Sequence, residues 1–117
     1  MYIRKFTISI LFIAVVFFML AMAPAPQVVK TDRDSIMRGK KIFAQKCSRC
    51  HDPLSYEYIK GPGLKKVMKK ANLPVSGRAA TPANIARQLS SAYRDMPSFR
   101  DLLPEEVTSI IAYLNTL

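Results

Sequence analysis

The stretch Cys47-Ser48-Arg49-Cys50-His51 contains both cysteines and the only histidine of this 117-residue chain. Scattered at random, these three residues would fall into the order C-x-x-C-H about once in 7,000 placements. A structural zinc site needs four ligands, more than the chain's cysteines and histidine provide. A redox C-x-x-C motif follows a strand, whereas here a helical pattern leads into the motif. A plain disulfide would explain Cys47 and Cys50 but leave His51 as a coincidence.

The C-x-x-C-H spacing is typical of covalent c-type haem attachment. Two thiols three residues apart can each reach one vinyl group of a porphyrin and form two thioether bonds. The adjacent His51 is then placed under the iron as its proximal ligand. The sequence therefore predicts one haem c, bound covalently through Cys47 and Cys50.

The residues before the motif predict a helix that leads into it. The helical pattern begins at Asp34, and either Asp34 or Ser35 can act as the N-cap. One face of this helix carries Ile36, Gly39, Phe43 and Cys47. We expect that face to pack into the core.

The residues after the motif predict further helices and long loops. A short helix fits through Leu64, Val67, Met68 and Ala71. Thr81 and Pro82 form the N-cap and first residue of a second helix, with inward positions at Ile85, Leu89 and Ala92 or Tyr93. The last helix begins at Pro104 after the poor capping residue Leu103, and its buried positions are Val107, Ile110, Ile111 and Leu114. No segment alternates like a strand, and the long loops need a cofactor to complete the core, so we expect an all-α domain.

Three segments around the motif resemble the class I cytochromes c, and the likeness covers nearly all of residues 34–117. They are Arg38–Cys47, Gly61–Leu64 and Ile110–Leu114. The resemblance implies a fold of three to five helices around one covalently bound haem. It also implies that the Pro62 carbonyl accepts a hydrogen bond from His51, and that the first and last helices cross at Gly39 and Tyr113.

The second axial ligand cannot be a histidine of this chain, because the chain has no other. Methionine, lysine, a residue of a partner or no ligand remain possible. Met68 follows His51 by only seventeen residues, whereas Met96 follows it by forty-five and has the length to return to the opposite face of the haem. Met96-Pro97 also resembles the family's distal segment, although Tyr93-Arg94-Asp95 lacks the glycine common there. We therefore expect His51 and Met96 to bind the iron.

Two axial side chains predict an electron-transfer protein rather than an enzyme. With both positions filled, the iron has no site for oxygen, peroxide or a small-molecule substrate. The alternative is a haem-based sensor or gas-binding protein in which the sixth ligand is labile. A peroxidase is a weaker option, because the chain has no second histidine to act as a distal base.

The N-terminal residues predict a membrane anchor. Residues 6–23 carry no charge and only two polar side chains, and as a helix they would be about 27 Å long, close to the thickness of the hydrocarbon core. A cleaved signal peptide is the alternative, although prolines follow both candidate cleavage sites, Ala21-Met22-Ala23 and Ala23-Pro24-Ala25. We therefore expect an anchor over residues 1–23, a proline-containing linker over 24–33, and the haem domain over 34–117. Haem attachment places that domain on the outer, periplasmic side of the cytoplasmic membrane, as a single-pass protein.

The chain is strongly basic, with a formal net charge of +10. From Lys30 onward it carries sixteen lysines and arginines against eight acidic residues. Cations expected around the haem edge are Lys40, Lys41, Lys46, Arg49, Lys60, Lys65, Lys66, Lys69 and Lys70. They favour redox partners with acidic docking faces, such as a quinol-oxidising complex or a terminal oxidase, over nucleic acid. A solvated basic face, or attraction to anionic lipid, is the alternative. Arg78 or another arginine is expected to pair with the haem propionates.

Overall fold

A computed structural model describes residues 28–117 of the chain. It contains three α-helices, α1 (Arg33–Lys46), α2 (Pro82–Ser90) and α3 (Pro104–Leu114), and one 3-10 helix (Val67–Lys69). The described part has no named strand, only isolated bridges between Asn72 and Ala79 and between Tyr93 and Met96. This confirms the mostly helical architecture expected from the sequence.

The predicted anchor over residues 1–23, and residues 24–27 of the predicted linker, lie outside the described residues. Within residues 28–117, no helix combines the length and the hydropathy that a membrane crossing requires.

Helix α1 begins earlier than the sequence predicted. Its N-cap is Asp32, whose Oδ2 accepts a hydrogen bond of 2.9 Å from the backbone N–H of Ser35. The assignment of Asp34 or Ser35 as N-cap was wrong: Asp34 lies in the first turn, and Ser35 is buried among the core residues. Hydrogen bonding to Ser35 lowers the pKa of the Asp32 carboxyl, because it stabilises the charged form.

Helix α2 begins where the sequence predicted. The Oγ1 of Thr81 accepts a hydrogen bond of 3.2 Å from the N–H of Asn84, and Pro82 is the first helical residue. Ile85 and Leu89 are buried as expected. The helix ends at Ser90, so the predicted inward positions 92 and 93 lie beyond it.

Helix α3 also begins at the predicted residue, Pro104. The apolar side chain of Leu103 cannot cap the helix. The backbone N–H of Leu103 instead donates to Glu106 Oε2 at 2.9 Å. Ile110, Ile111 and Leu114 are buried as predicted, whereas Val107 is only partly buried. Glu105 and Glu106 in the first turn also stabilise the helix, because their negative charges lie at the positive end of its dipole.

Helices α1 and α3 cross at Gly39. A Cβ atom at Gly39 would collide with the backbone carbonyl of Ser109 and meet Tyr113 Cβ at 2.9 Å. The missing side chain therefore permits the two backbones to approach closely. One turn further along α1, the ring of Phe43 packs against that of Tyr113 at a centroid distance of 5.4 Å and an angle of 59°. This tilted packing is favourable for aromatic pairs and fixes the helix pair on which the rest of the domain is built.

The long segment between α1 and α2 is mostly irregular. The short helix predicted through Leu64 and Ala71 is reduced to the three-residue 3-10 helix, because Lys66 before it has the left-handed φ of 54°. Val67 and Leu73 from this segment join the core formed by the three helices.

Candidate functional site

One cavity of about 370 Å³ lies among the three helices and the irregular segments. Its size falls in the range of small-molecule and cofactor sites. All five predicted site residues line it: Cys47, Cys50, His51, Pro62 and Met96. Residues up to forty-nine positions apart in the sequence thus share one site.

The two cysteines are positioned by the end of α1. Cys47 is the C-cap residue, and its carbonyl accepts hydrogen bonds of 3.0 Å from the N–H groups of both Cys50 and His51. Both cysteine side chains are half-buried. Burial raises the pKa of the Cys47 thiol to about 11, so before haem attachment this thiol is protonated at neutral pH. Within residues 28–117 no group of three or more His, Cys, Asp or Glu side chains is placed to hold a metal ion.

The ring of His51 is held in a defined orientation. Its Nδ1 lies 2.9 Å from the carbonyl oxygen of Pro62. A carbonyl oxygen can only accept, so Nδ1 carries the proton, and in the neutral ring Nε2 keeps a free lone pair. A Cβ on Gly61 would lie 2.6 Å from Cε1 of this ring and 2.9 Å from Nδ1. The glycine therefore leaves the space that the imidazole occupies.

Met96 lies at the end of a tight turn. The backbone N–H of Met96 donates to Tyr93 O at 3.1 Å, and the N–H of Tyr93 donates to Met96 O at 3.0 Å. Arg94 within the turn has φ 53°, a conformation that costs a non-glycine residue about 1–2 kcal/mol. The amide nitrogen Nε2 of Gln88, on α2, lies 3.9 Å from the Met96 sulfur. Met68 does not line the cavity and instead packs against the core.

The composition of the cavity fits haem c. Its walls are largely apolar and include Phe43, Leu73, Ile85, Leu89, Phe99, Ile110 and Leu114. Among them lies the hydroxyl of Ser76, which is buried and has no hydrogen-bond partner. An unpaired buried hydroxyl is costly, and a carboxylate on a bound macrocycle would supply the acceptor it lacks. Two thiols, an oriented imidazole and an apolar enclosure are the features that covalent haem binding requires.

Comparison with known proteins agrees with this geometry. Residues 34–114 match the family described as "Cytochrome C oxidase, cbb3-type, subunit III". The chain belongs to this family of c-type cytochromes. It is also 31% identical over 111 residues to a cytochrome c6 of Rippkaea orientalis (strain PCC 8801 / RF-1), an alignment that covers 94% of this chain and 91% of that protein. No solved structure gives a significant match.

The cytochrome therefore carries haem c, attached covalently through Cys47 and Cys50, and is a haem electron carrier. Ser76 and Gln88 are additional residues of its site that the sequence analysis did not single out. Gln88 follows the buried Ile85 of α2 by three positions and precedes the buried Leu89 by one. The helical pattern could therefore have predicted that Gln88 faces the cavity. Ser76 lies in an irregular segment and gave no such signal.

The cations at the cavity of this cytochrome differ in part from those expected. Lys46, Arg49, Lys60 and Arg94 line it. Arg78, named as a candidate partner of the haem propionates, is not among the lining residues.

Proposed function

We propose that the chain is a membrane-tethered, mono-haem c-type cytochrome that carries single electrons between respiratory partners at the outer face of the cytoplasmic membrane. It acts as a shuttle or as a subunit of a complex, with His51 and Met96 as the iron ligands. The observation that carries this proposal is that one apolar cavity is lined by Cys47, Cys50, His51 and Met96 together.

The proximal role of His51 is supported by its hydrogen bond to Pro62. Haem c supplies an iron that changes its charge by one electron. Donation from Nδ1 to the carbonyl oxygen fixes both the tautomer and the plane of the ring, and leaves Nε2 as the coordinating atom. A carbonyl acceptor of this kind also makes the ring a better electron donor.

The distal role of Met96 is supported by its place in the cavity wall and by its contact with Gln88. A thioether opposite an imidazole favours the ferrous over the ferric state, and so raises the reduction potential. The largely apolar side chains that line the cavity would give a bound haem surroundings of low polarity. If His51 and Met96 both bind the iron, no position on it would remain for a substrate, which supports electron transfer rather than catalysis.

A respiratory partner is supported by the family description, which names an oxidase subunit, and by the basic residues at the cavity. We propose partners with acidic docking faces, a terminal oxidase complex first and a quinol-oxidising complex as the electron source. Opposite charges would speed and orient the encounter. Nucleic acid and small-molecule substrates are not part of this proposal.

The membrane anchor is proposed from residues 6–23, whose uncharged length is close to that needed to span a bilayer. The short linker that follows would keep the haem domain near the outer surface of the membrane. Intact mass tests this part: the full chain plus one haem supports an anchor, and a chain lacking the first twenty-three residues shows a cleaved signal.

The test of the electron-carrier proposal is spectroscopy of the full chain purified from cells that mature c-type cytochromes. We expect a long-wavelength sulfur-to-iron band in the ferric protein, a reversible one-electron couple, and no binding of carbon monoxide to the ferrous protein. A protein without the band that binds carbon monoxide readily would instead be a gas-binding or sensor protein. A colourless protein would overturn haem binding altogether.

A further inference from the structure

Exposed apolar side chains are concentrated in one short loop. Three large hydrophobic residues between positions 54 and 59 are exposed away from the cavity, Leu54 at 74%, Tyr56 at 55% and Ile59 at 54%, and Tyr58 among them lies at the cavity wall. The rest of the described chain, residues 28–117, adds only Val28, Met37 and Leu103. We call residues 54–60 the apolar loop. Clustered apolar exposure of this kind marks interaction surfaces, whereas single exposed residues need no explanation.

The backbone of the apolar loop is held in place by hydrogen bonds. The N–H of Lys65 donates to Ser55 O at 3.2 Å, and the N–H of Glu57 donates to Ser55 Oγ at 2.9 Å. At the other end, the N–H of Ile59 donates to Gly61 O, and the N–H of Gly61 donates to Cys50 O at 2.9 Å. The exposure of the apolar side chains is thus fixed by the fold and is not a consequence of a loose loop.

Positive charge lies beside the apolar loop at Tyr56. Residues 54–72 contain five lysines and one acidic residue, Glu57. The Nζ atoms of Lys65 and Lys70 lie 5.3 and 5.0 Å from the centroid of the Tyr56 ring. These distances are those of cation–π contacts, so the two charges are held beside the apolar side chains. A complementary surface would have an apolar centre and carboxylates around it.

The apolar loop is continuous with the haem cavity. Tyr58 and Lys60 line that cavity, and the loop runs directly into Gly61 and Pro62, which contact His51. A molecule seated on the loop would therefore touch the wall of the redox site. This position is useful to an electron acceptor or donor and has no comparable use for a lipid.

We propose that the apolar loop, with Lys65 and Lys70, is the docking surface for a redox protein whose contact face has an apolar centre and a carboxylate rim. This inference rests on the proposed electron-carrier function and specifies where the partner binds. Tyrosine is enriched in the central contacts of protein interfaces, and charges at the rim mainly increase the rate of encounter.

The test uses the full-chain holoprotein in mild detergent, reduced and mixed with detergent-solubilised membranes of the source organism. The loop variant carries Tyr56→Ser and Ile59→Ser. The control variant carries Met37→Ser and Leu103→Ser, residues exposed to 54% and 55% like the two loop residues, and none of the four lines the haem cavity. We expect the loop variant to be oxidised about tenfold more slowly than wild type, which corresponds to the loss of one substantial interface contact. The control variant should match wild type, and ferricyanide should oxidise all three proteins at the same rate.

The outcomes separate the inference from the proposed function. If the loop and control variants behave alike with the membranes, the docking surface lies elsewhere, while the carrier function stands. If the membranes do not oxidise wild type although ferricyanide does, the respiratory function itself is wrong. Hydrogen exchange of the full chain in phosphatidylcholine discs, with and without phosphatidylglycerol, tests whether the apolar loop binds lipid. Protection of residues 54–60 by the anionic discs alone would overturn the proposal and assign the loop to lipid.

Discussion

The two segments that carry the proposed iron ligands are held in different ways. On the proximal side, His51 and Gly61 are both bonded through their backbone N–H groups to the Cys47–Cys50 turn, and the His51 ring is bonded to Pro62. On the distal side, Met96 is held by a turn closed on Tyr93 that contains a left-handed non-glycine residue, and the chain after it is bonded to the end of α2 through Ser98 and Phe99.

This difference indicates which ligand is easier to displace. Moving His51 would break its two hydrogen bonds, from the backbone N–H to Cys47 O and from Nδ1 to Pro62 O. Within residues 28–117, the only polar contact of the Met96 side chain is the 3.9 Å contact with Gln88, and its turn carries about 1–2 kcal/mol of backbone strain at Arg94. We therefore expect the distal ligand to be the first to leave under stress.

Removal of the distal ligand has the largest expected effect. Met96→Ala should abolish the sulfur-to-iron band of the ferric protein, lower its reduction potential and allow carbon monoxide to bind, because the thioether is lost. Absorption spectroscopy and redox titration measure these changes. Met68→Ala is the control: it should keep the band and lower the free energy of unfolding by about 2 kcal/mol. Loss of the band in Met68→Ala alone would show that the ligand is Met68.

Crowding of the proximal ligand comes next. In Gly61→Ala the new Cβ would overlap the His51 ring, and we expect the free energy of unfolding to fall by about 2–3 kcal/mol. Denaturant unfolding of the holoprotein measures this change. Gly77→Ala is the matched glycine control, since nothing lies near its Cβ position, and only its φ of 67° should cost about 1 kcal/mol. Equal losses of unfolding free energy in the two variants would contradict close packing of Gly61 against the His51 ring.

Relieving the backbone strain at Arg94 should stabilise the turn that holds Met96. Arg94→Gly suits the left-handed conformation, and after the entropy cost of glycine we expect a stabilisation of about 0.5 kcal/mol. Added imidazole should then displace Met96 more slowly. Arg94→Ala also removes the charge but keeps the strain, so it should give no stabilisation. If both variants respond equally, the charge of Arg94 and not its backbone is responsible.

The contact between Gln88 and Met96 allows a finer test. An N–H donor draws electron density from the sulfur, and the ferric state needs that density more than the ferrous state. Gln88→Leu should therefore lower the reduction potential and shift the sulfur-to-iron band, with a change of about 0.5 kcal/mol or less in unfolding free energy. Gln45→Leu, an exposed substitution on α1, should leave both quantities unchanged. An unaltered band in Gln88→Leu would show that the contact has no electronic role.

The smallest effect is expected far from both ligands, at the start of α1. The pKa of Asp32 is lowered in the folded state, so its stabilising effect is complete above its ordinary value of 3.8 and disappears as the pH falls through the lower folded value. Asp32→Asn should unfold at a slightly lower temperature than wild type at pH 7. The two proteins should converge as the pH falls through the lowered pKa of Asp32, and a difference that stays constant over this range would contradict a charged cap.

The sequence was sufficient where a residue type determines its local structure. Thr81-Pro82 has one favourable position, at the start of a helix, and the structure confirms that prediction. The C-x-x-C-H motif has one common chemical use, and the family match agrees with it. The α1 N-cap failed because aspartates stand at both 32 and 34, and the choice depends on the burial of Ser35 against the rest of the domain.

Other features depend on conformations that no sequence pattern specifies. The left-handed φ of Lys66 shortened a predicted helix, although lysine gives no such signal. The contact between Gln88 and Met96 requires α2 and the distal turn to be packed together first. Ser76 could be recognised only when its hydroxyl was found buried and unpaired.

The close crossing of α1 and α3 also bears on how the chain reaches its native state. Gly39 and Ser109 are seventy positions apart, so the chain that carries Cys47, Cys50, His51 and Met96 forms one large loop between them. Closing a loop of this length carries an entropic penalty that is recovered only when the two helices dock. During synthesis, α1 consequently lacks its packing partner until residues 104–114 have emerged. Haem attachment at Cys47 and Cys50 can therefore precede completion of the core.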